Sequence, residues 1–175
     1  RDAGGVSARF EASLELDEAR LDLQMFGRAS AGADRVQFEA LGSGFVPAAL
    51  ARASPLFSDF AVLDAPVSGS GTVTLGKNGI WLGAELKLVA GSGHAYIPAL
   101  GDEPVPVDYI KTNLEFDPVA NLLSLHRLDF KAGENGGIVS GTATLDQPDG
   151  FHIAGATVAM NAEDLSLNIA NFTDG

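Results

Sequence analysis

The sequence contains no cysteine, which excludes a disulfide framework, a thiolate metal site and a cysteine nucleophile and leaves the redox compartment open. Basic residues are scarce: 11 Lys and Arg stand against 23 Asp and Glu, a formal charge of −12 over 175 residues. Proteins hold nucleic acid by replacing its counterions with a basic surface, so nucleic acid is not an expected partner. A docking face for anionic lipid headgroups is disfavoured for the same reason. Aromatic residues make up only 7% of the chain although 46% is hydrophobic, so the apolar surface is mainly aliphatic. No apolar run reaches the 18 or so residues that a spanning helix needs. No signal-peptide pattern is present either. The chain opens on Arg1, and a strand-like pattern starts almost at once at Val6, as expected of a segment of a longer protein whose anchors and targeting signals lie elsewhere.

What the sequence has in abundance is alternation, which places successive side chains on opposite faces of a strand. Val6, Ala8, Phe10, Ala12, Leu14 and Leu16 alternate with Ser7, Arg9, Glu11, Ser13 and Glu15. Leu21, Leu23 and Met25 oppose Arg20, Asp22 and Gln24, and Val36, Phe38 and Ala40 oppose Arg35, Gln37 and Glu39. Val67, Val73 and Leu75 lead to a hairpin turn at Lys77-Asn78-Gly79. The return strand is expected to carry Ile80, Leu82, Ala84, Leu86 and Leu88 on one face, with Trp81 on the polar phase. Ile110, Thr112, Leu114 and Phe116 run to a turn at Asp117-Pro118, and Leu123 and Leu125 follow. There the phase slips: Leu128, Phe130 and Ala132 fall on the other parity, as a β-bulge at His126-Arg127 would produce. Val139, Ala143 and Leu145 form a further strand, Phe151 and Ile153 the next, and Leu165, Leu167 and Ile169 the last.

One stretch reads as helix, Pro47 to Ser54, with Pro at its first position and Pro55 to stop it. Leu56, Phe57 and Phe60 form an apolar cluster expected to plug one end of a sheet. No linker divides the chain, so residues 1–175 are expected to be a single β-rich module. A weak internal repeat runs through it: Gly71-Thr72-Val73-Thr74-Leu75 matches Gly141-Thr142-Ala143-Thr144-Leu145, within segments of about 68–89 and 139–160.

So many one-faced strands and so little helix raise the question of what covers the apolar faces. A closed β-sandwich or barrel, burying its own face, is the simplest answer from pattern alone. The other is a curved antiparallel sheet forming an open hydrophobic groove with one short helix, its aliphatic lining suited to acyl chains. The residues expected to line the shared face are Val73, Leu75, Ile80, Leu82, Leu86, Leu88, Ile110, Leu114, Phe116, Leu123, Leu125, Leu128, Phe130, Val139, Leu145, Phe151 and Ile153.

Chemistry-bearing constellations are thin. His94, His126 and His152 lie on different segments without a second ligand at metal spacing. Gly-Ser-Gly at Gly42, Gly69 and Gly91 lacks the third glycine of a phosphate-cradling loop and reads as turns and bulges. The G-x-S-x-G elbow of esterases is absent. Glu134, Asp146 and Asp149 lack calcium-loop spacing and read as solvated charge. Asn171-Phe172-Thr173 fits a glycosylation sequon, which carries little weight if the source is bacterial. The expectation is a non-enzyme without cofactor or metal.

Four stretches carry a resemblance: the strand opening at Ala65-Pro66-Val67-Ser68-Gly69, the strand Gly93-His94-Ala95-Tyr96-Ile97-Pro98, the turn Phe116-Asp117-Pro118, and the strand ending at Gly133. With the helix before them they resemble, over roughly residues 46–145, the AsmA-like family and in particular its YhdP-type branch. The resemblance implies a segment of an inner-membrane-anchored periplasmic protein of a Gram-negative bacterium, a bridge that carries phospholipid between inner and outer membrane along a hydrophobic groove. It implies phospholipid acyl chains as partners and membrane contact only through other parts of the full-length chain. It brings no catalytic residue; the groove is the inward phase of every strand. Pattern alone leaves a non-catalytic structural or adhesive β module as the alternative.

Overall fold

The computed structural model describes residues 5–16, 19–29, 32, 34–53, 58, 61–96, 103–146 and 155–166. Nine long strands form one antiparallel sheet: β1 (Val6–Leu16), β2 (Ala19–Ala29), β3 (Arg35–Phe45), β5 (Val67–Gly76), β6 (Trp81–Ala90), β9 (Tyr109–Asp117), β10 (Leu122–Ala132), β11 (Asn135–Asp146) and β12 (Gly155–Ser166). They lie side by side in that order, and β1 and β12 are the two edges. The sheet is therefore open rather than closed into a barrel. Three short strands, β4 (Leu63–Asp64), β7 (Gly93–Ala95) and β8 (Val105–Val107), make a second sheet in the order β4-β7-β8. One helix, α1 (Pro47–Ala53), begins at the expected proline.

The small sheet is the large one continued past a corner. β4 runs into β5 through Ala65-Pro66, β6 into β7 through Gly91-Ser92, and β8 into β9 through Asp108, so three neighbouring strands bend together and keep their order. Pro66 suits the bend because it has no amide to offer a ladder; its carbonyl accepts the Gly91 amide at 2.9 Å. At Gly93 a Cβ would stand 2.2 Å from the Asp64 carbonyl oxygen, so the strands come too close there for any side chain. The Asp108 amide donates to the Lys131 carbonyl (2.8 Å) and its carboxylate accepts the Gly133 amide (2.9 Å), tying the corner to the β10–β11 turn.

The core sits at this corner. Ala65, Val67 and Ala90 are buried to 5% exposure or less, and Phe45, Leu63, Leu88 and Ile110 pack against them. Pro47, Ala48 and Ala49 of α1 are buried at the same end. No described side chain is fully enclosed, and nothing comparable is buried at the far end of the sheet. The barrel allowed by the pattern does not form, because β1 and β12 do not pair, and among the described residues no interior is buried such as a closed sandwich would fill.

Strand order follows from short connections between consecutive strands, but four register shifts decide which face each residue occupies. One lies between Gly42 and Phe45, where Gly44 takes φ +74°, and a Cβ there would stand 2.3 Å from the Arg20 carbonyl oxygen. One follows Thr74, one spans Leu125 to Leu128, and one between Gly136 and Ile138 coincides with Asp164 at φ +50°. The C-terminal strand differs from the expectation of two short ones: a single strand covers residues 155–166 and includes Leu165. Phe151, Ile153, Leu167 and Ile169 lie outside the described residues, as do Leu56, Phe57 and Phe60.

Gly42 and Gly69 face each other across β3 and β5 yet should respond oppositely to a methyl group. A Cβ on Gly69 would lie 2.2 Å from the Lys87 carbonyl oxygen and 2.7 Å from Leu88 Cδ2, whereas one on Gly42 meets nothing within 4 Å. Gly69→Ala should cost about 1–3 kcal/mol through forced backbone shifts, and Gly42→Ala should be neutral or gain about 0.4–1 kcal/mol through the unfolded chain. Denaturant midpoints of the two variants check this; equal responses would contradict the packing described.

Candidate functional site

Partners across an antiparallel ladder share a face, so the register traces one surface from edge to edge. On β1 and β2 it carries Val6, Ala8, Phe10, Ala12, Leu23, Met25 and Gly27, and on β3 Val36, Phe38, Ala40, Gly42 and Phe45. It continues through Val67, Gly69, Gly71, Val73 and Leu75 of β5 to Ala84, Leu86, Leu88 and Ala90 of β6. Ile110, Thr112, Leu114 and Phe116 of β9 pair with Phe130, Leu128, Leu125 and Leu123 of β10. The surface ends in Val139, Gly141 and Ala143 of β11, Leu145 in phase with them, and Val158, Met160 and Ala162 of β12. Thr112 is its one hydroxyl among these residues.

The slip at His126-Arg127 is a bulge. Four residues, Leu125 to Leu128, span three on β11, Gly141 to Val139. Leu128 and Phe130 are thereby returned to the face of Leu123 and Leu125, and the polar His126 and Arg127 are both exposed.

A second bulge works against the alternation. After Thr74 pairs with Gly83, Leu75 pairs with Trp81 rather than Leu82, so Trp81 takes the apolar face on which it was not expected. Leu82 turns to the other side: its Cδ1 stands 3.8 Å from where a Cβ on Gly76 would be, and Gly76 pairs with Arg35 on the polar face. Ile80 belongs to the turn, its amide donating to Asn78 Oδ1 (3.2 Å) and its carbonyl accepting the Gly76 amide (2.8 Å). The expectation that Ile80 and Leu82 line the shared face is corrected accordingly. The cause is one extra residue in β6, invisible to a count of twos.

The apolar face is built of large residues laid over glycines. Phe38 Cε1 lies 3.0 Å from a Cβ position on Gly27, Leu86 Cδ1 3.4 Å from one on Gly71, Leu165 Cδ1 2.9 Å from one on Gly137, and Met160 Cγ 3.1 Å from one on Gly141. The repeated segments share this device, Gly71 under Leu86 in the β5–β6 hairpin and Gly141 under Met160 in the β11–β12 hairpin. Side chains that lie down over glycine cover backbone polar groups and leave an aliphatic floor. The floor is fully buried only at the corner, and across its middle Val73, Leu114, Leu125 and Phe130 are half-buried. Away from the corner Leu86 is 39% exposed, Phe10 56%, Val158 56% and Met160 68%.

The opposite face carries short-range polar contacts beside scattered exposed apolar side chains such as Leu41 and Val89. His126 Nε2 lies 2.8 Å from Glu115 Oε2, Lys77 Nζ 3.1 Å from Asp34 Oδ1, and Arg20 Nε 3.1 Å from Asp22 Oδ1. Arg9 bonds Glu11 and its guanidinium lies 5.1 Å from the Phe26 ring centroid. These pairs are mostly exposed, each contributing little to stability, but together they keep this face in water. The Ser13 hydroxyl, then Arg20, hold the Asp22 carboxyl below its usual range. Arg127, then the Tyr109 hydroxyl at 3.0 Å, do the same for Asp129, and that hydrogen bond pushes the Tyr109 phenol up.

Groups for chemistry are dispersed. His94 sits in β7 opposite Pro106, His126 on the polar face, and His152 lies outside the described residues. Glu134 precedes β11 and Asp146 ends it, too far apart to share a cation, and Asp149 is outside the described residues. Among the described residues no three His, Cys, Asp or Glu gather as metal ligands, and no helix is long and apolar enough to cross a membrane. A recess of about 540 Å³ beside α1 is lined mainly by Ala48, Ala51, Ala61, Val62 and Tyr96, with Arg52 and Asp64 at 3.9 Å on its rim. No protein-family model, curated protein or solved structure matches the chain.

The Tyr109–Asp129 contact has a two-sided pH signature. The lowered Asp129 pKa means a contribution present above the ordinary carboxylate value of about 3.9 and lost as pH falls through the folded value. The raised Tyr109 pKa means one present below about 10 and lost as pH rises through its folded value. Asp129→Asn should flatten both limbs of the thermal midpoint against pH, and Tyr109→Phe should flatten the alkaline limb most. An unchanged alkaline limb in Tyr109→Phe would contradict the contact.

Proposed function

We propose that the chain is a segment of a periplasmic bridge-like protein and carries phospholipid acyl chains on its apolar sheet face, without catalysis. The observation that carries the reading is the continuity of this face over nine strands while only the corner end is fully buried. Large exposed apolar surfaces on water-soluble proteins mark interaction sites, and here the surface is aliphatic and aromatic, with the Thr112 hydroxyl and the Trp81 indole as its polar groups among the described face residues, offering little to orient a polar ligand. Nine strands at about 4.8 Å span roughly 38 Å, against about 15 Å for one leaflet of acyl chain. Whole tails therefore fit on the floor. The reading agrees with the AsmA-like resemblance, and with it goes placement in the cell envelope of a Gram-negative bacterium, the membrane anchor lying elsewhere in the full-length protein. The polar contacts on the reverse face and the net charge of −12 suit a wall between cargo and water and discourage adsorption to anionic lipid surfaces.

The test pairs lipid content with folding. Organic extraction of the purified chain should release phospholipid in at least near-stoichiometric amount. Leu86→Asp and Leu125→Asp should lower that amount severalfold while the protein stays folded, because water reaches the floor; Lys87→Asp, on the polar face, should leave it unchanged. Ala90→Asp at the corner should unfold the chain, since an unpaired buried carboxylate costs several kcal/mol against a total stability of about 5–15 kcal/mol. A chain that stays lipid-free after incubation with phospholipid vesicles, or a Leu86→Asp variant that unfolds as Ala90→Asp does, favours a structural or adhesive module instead.

A further inference from the structure

Opposite the buried corner, the sheet ends in the turns between β5 and β6 and between β9 and β10. Turn positions usually go to Asn, Asp, Gly and Ser. Both turns contain such residues and use them to hold apolar neighbours outward. Asn78 Oδ1 accepts the Ile80 amide (3.2 Å), Gly79 takes φ +78°, and the Gly76 amide donates to the Ile80 carbonyl (2.8 Å). Asp117 Oδ1 accepts the amides of Val119 (2.8 Å) and Ala120 (3.1 Å), and Asn121 takes φ +49°. On these pinned turns Ile80 is 57% exposed and Val119 81%, and Trp81 beside Ile80 is 49% exposed. β6 and β9 are neighbours with Ala84 opposite Phe116, so Trp81 and Val119 each lie three residues beyond that pair, at the same end of the sheet. The two hairpins are flanked by β3 on one side and β11 on the other.

Single apolar residues scattered over a surface need no explanation; three gathered on rigid turns at one end of a sheet do. Trp81 also joins them to the floor, because it faces Leu75 on the apolar side. Along β6 that side runs from Trp81 through Ala84 and Leu86 to Leu88 without a polar side chain other than the indole itself. We propose that the two turn tips dip into the headgroup interface of a zwitterionic bilayer, and that acyl chains pass between the bilayer and the floor over Trp81. This port rests on the lipid reading above and adds to it the route by which lipid arrives. An indole, with its apolar ring and N–H donor, suits a membrane interface, and aliphatic side chains such as Ile80 and Val119 gain by leaving water for the acyl boundary. Of the charges beside the tips, Lys77 is paired with Asp34 and the Asp117 carboxylate is engaged by turn amides. The net charge of −12 selects against an anionic surface, and the corner closes the opposite end of the floor. The contact departs from the expectation that only other parts of the full-length chain touch a membrane.

The test is the rate at which labelled phospholipid moves from phosphatidylcholine vesicles to the chain, read together with the final lipid content. Uptake through docked tips should rise in proportion to vesicle concentration. Ile80→Asp and Val119→Asp should each slow it about tenfold while final content and thermal midpoint stay unchanged, since both side chains lie off the floor. Val89→Asp, on the polar face at a position 49% exposed, should leave the rate unchanged. Phosphatidylglycerol vesicles should donate more slowly at low salt, the difference fading as salt is raised. A rate independent of vesicle concentration, tip variants that load at the wild-type rate, a Val89→Asp variant slowed as much as they are, or faster uptake from phosphatidylglycerol overturns the proposal. A wild-type chain that takes up no lipid overturns the lipid reading along with the port, whereas one that fills normally and ignores the tip substitutions overturns the port alone.

Discussion

Cross-strand register is the constraint on which the rest of this structure depends. An amphipathic strand has its two faces only while the count of two is kept, and a slip of one residue moves every side chain to the wrong side. Across nine strands the chain keeps one face aliphatic by inserting bulges where the count would fail, at Ser43-Gly44 and at His126-Arg127. Because the sheet does not close, the consistency of that face is not explained by the filling of an interior. It produces a surface.

The corner explains why such an open sheet holds together. Three central strands bend at Ala65-Pro66, Gly91-Ser92 and Asp108, and Phe45, Leu63, Leu88 and Ile110 pack against Ala65, Val67 and Ala90 there. With α1 at the same end, this is the structure's most deeply buried cluster, anchored in the middle of the sheet rather than at an edge. The ladders spread outward from it, each strand held mainly by its neighbours. Stability is therefore concentrated at one end, and the far end of the floor stays exposed without endangering the fold.

Much of this was legible in the sequence, for physical reasons that differ by element. The alternation of β1 and β9 is strict, and that of β2 and β3 is broken only by Phe26 and Leu41 on the polar face, so their faces could be read directly. The parity change between Leu125 and Leu128 was legible because both flanks are strongly apolar and only a bulge reconciles them. The slip at Trp81 was not, because Ile80, Trp81 and Leu82 are all apolar and any phase satisfies the pattern; the choice is made by the turn at Asn78 and by pairing with β5. The corner was equally hidden. Leu63-Asp64, Gly93–Ala95 and Val105–Val107 are too short to show a period, and only their continuity with β5, β6 and β9 gives them an order. As for the site, Leu86, Leu114, Leu125 and Phe130 could be named in advance, whereas the glycines beneath their neighbours, such as Gly71 and Gly141, become meaningful only when the register shows what lies over them.

The central claim is that the apolar face is an open, water-accessible floor. Since the chain has no cysteine, single cysteines report on it directly through their rates of reaction with a water-soluble maleimide. The account predicts that Leu86→Cys and Met160→Cys react at rates comparable with Glu85→Cys on the polar face, while Val67→Cys at the corner reacts far more slowly. It further predicts that phospholipid vesicles slow the reaction at positions 86 and 160 and leave position 85 unchanged. Reaction at 86 and 160 as slow as at 67 in the absence of lipid would contradict it, because the face would then be sealed.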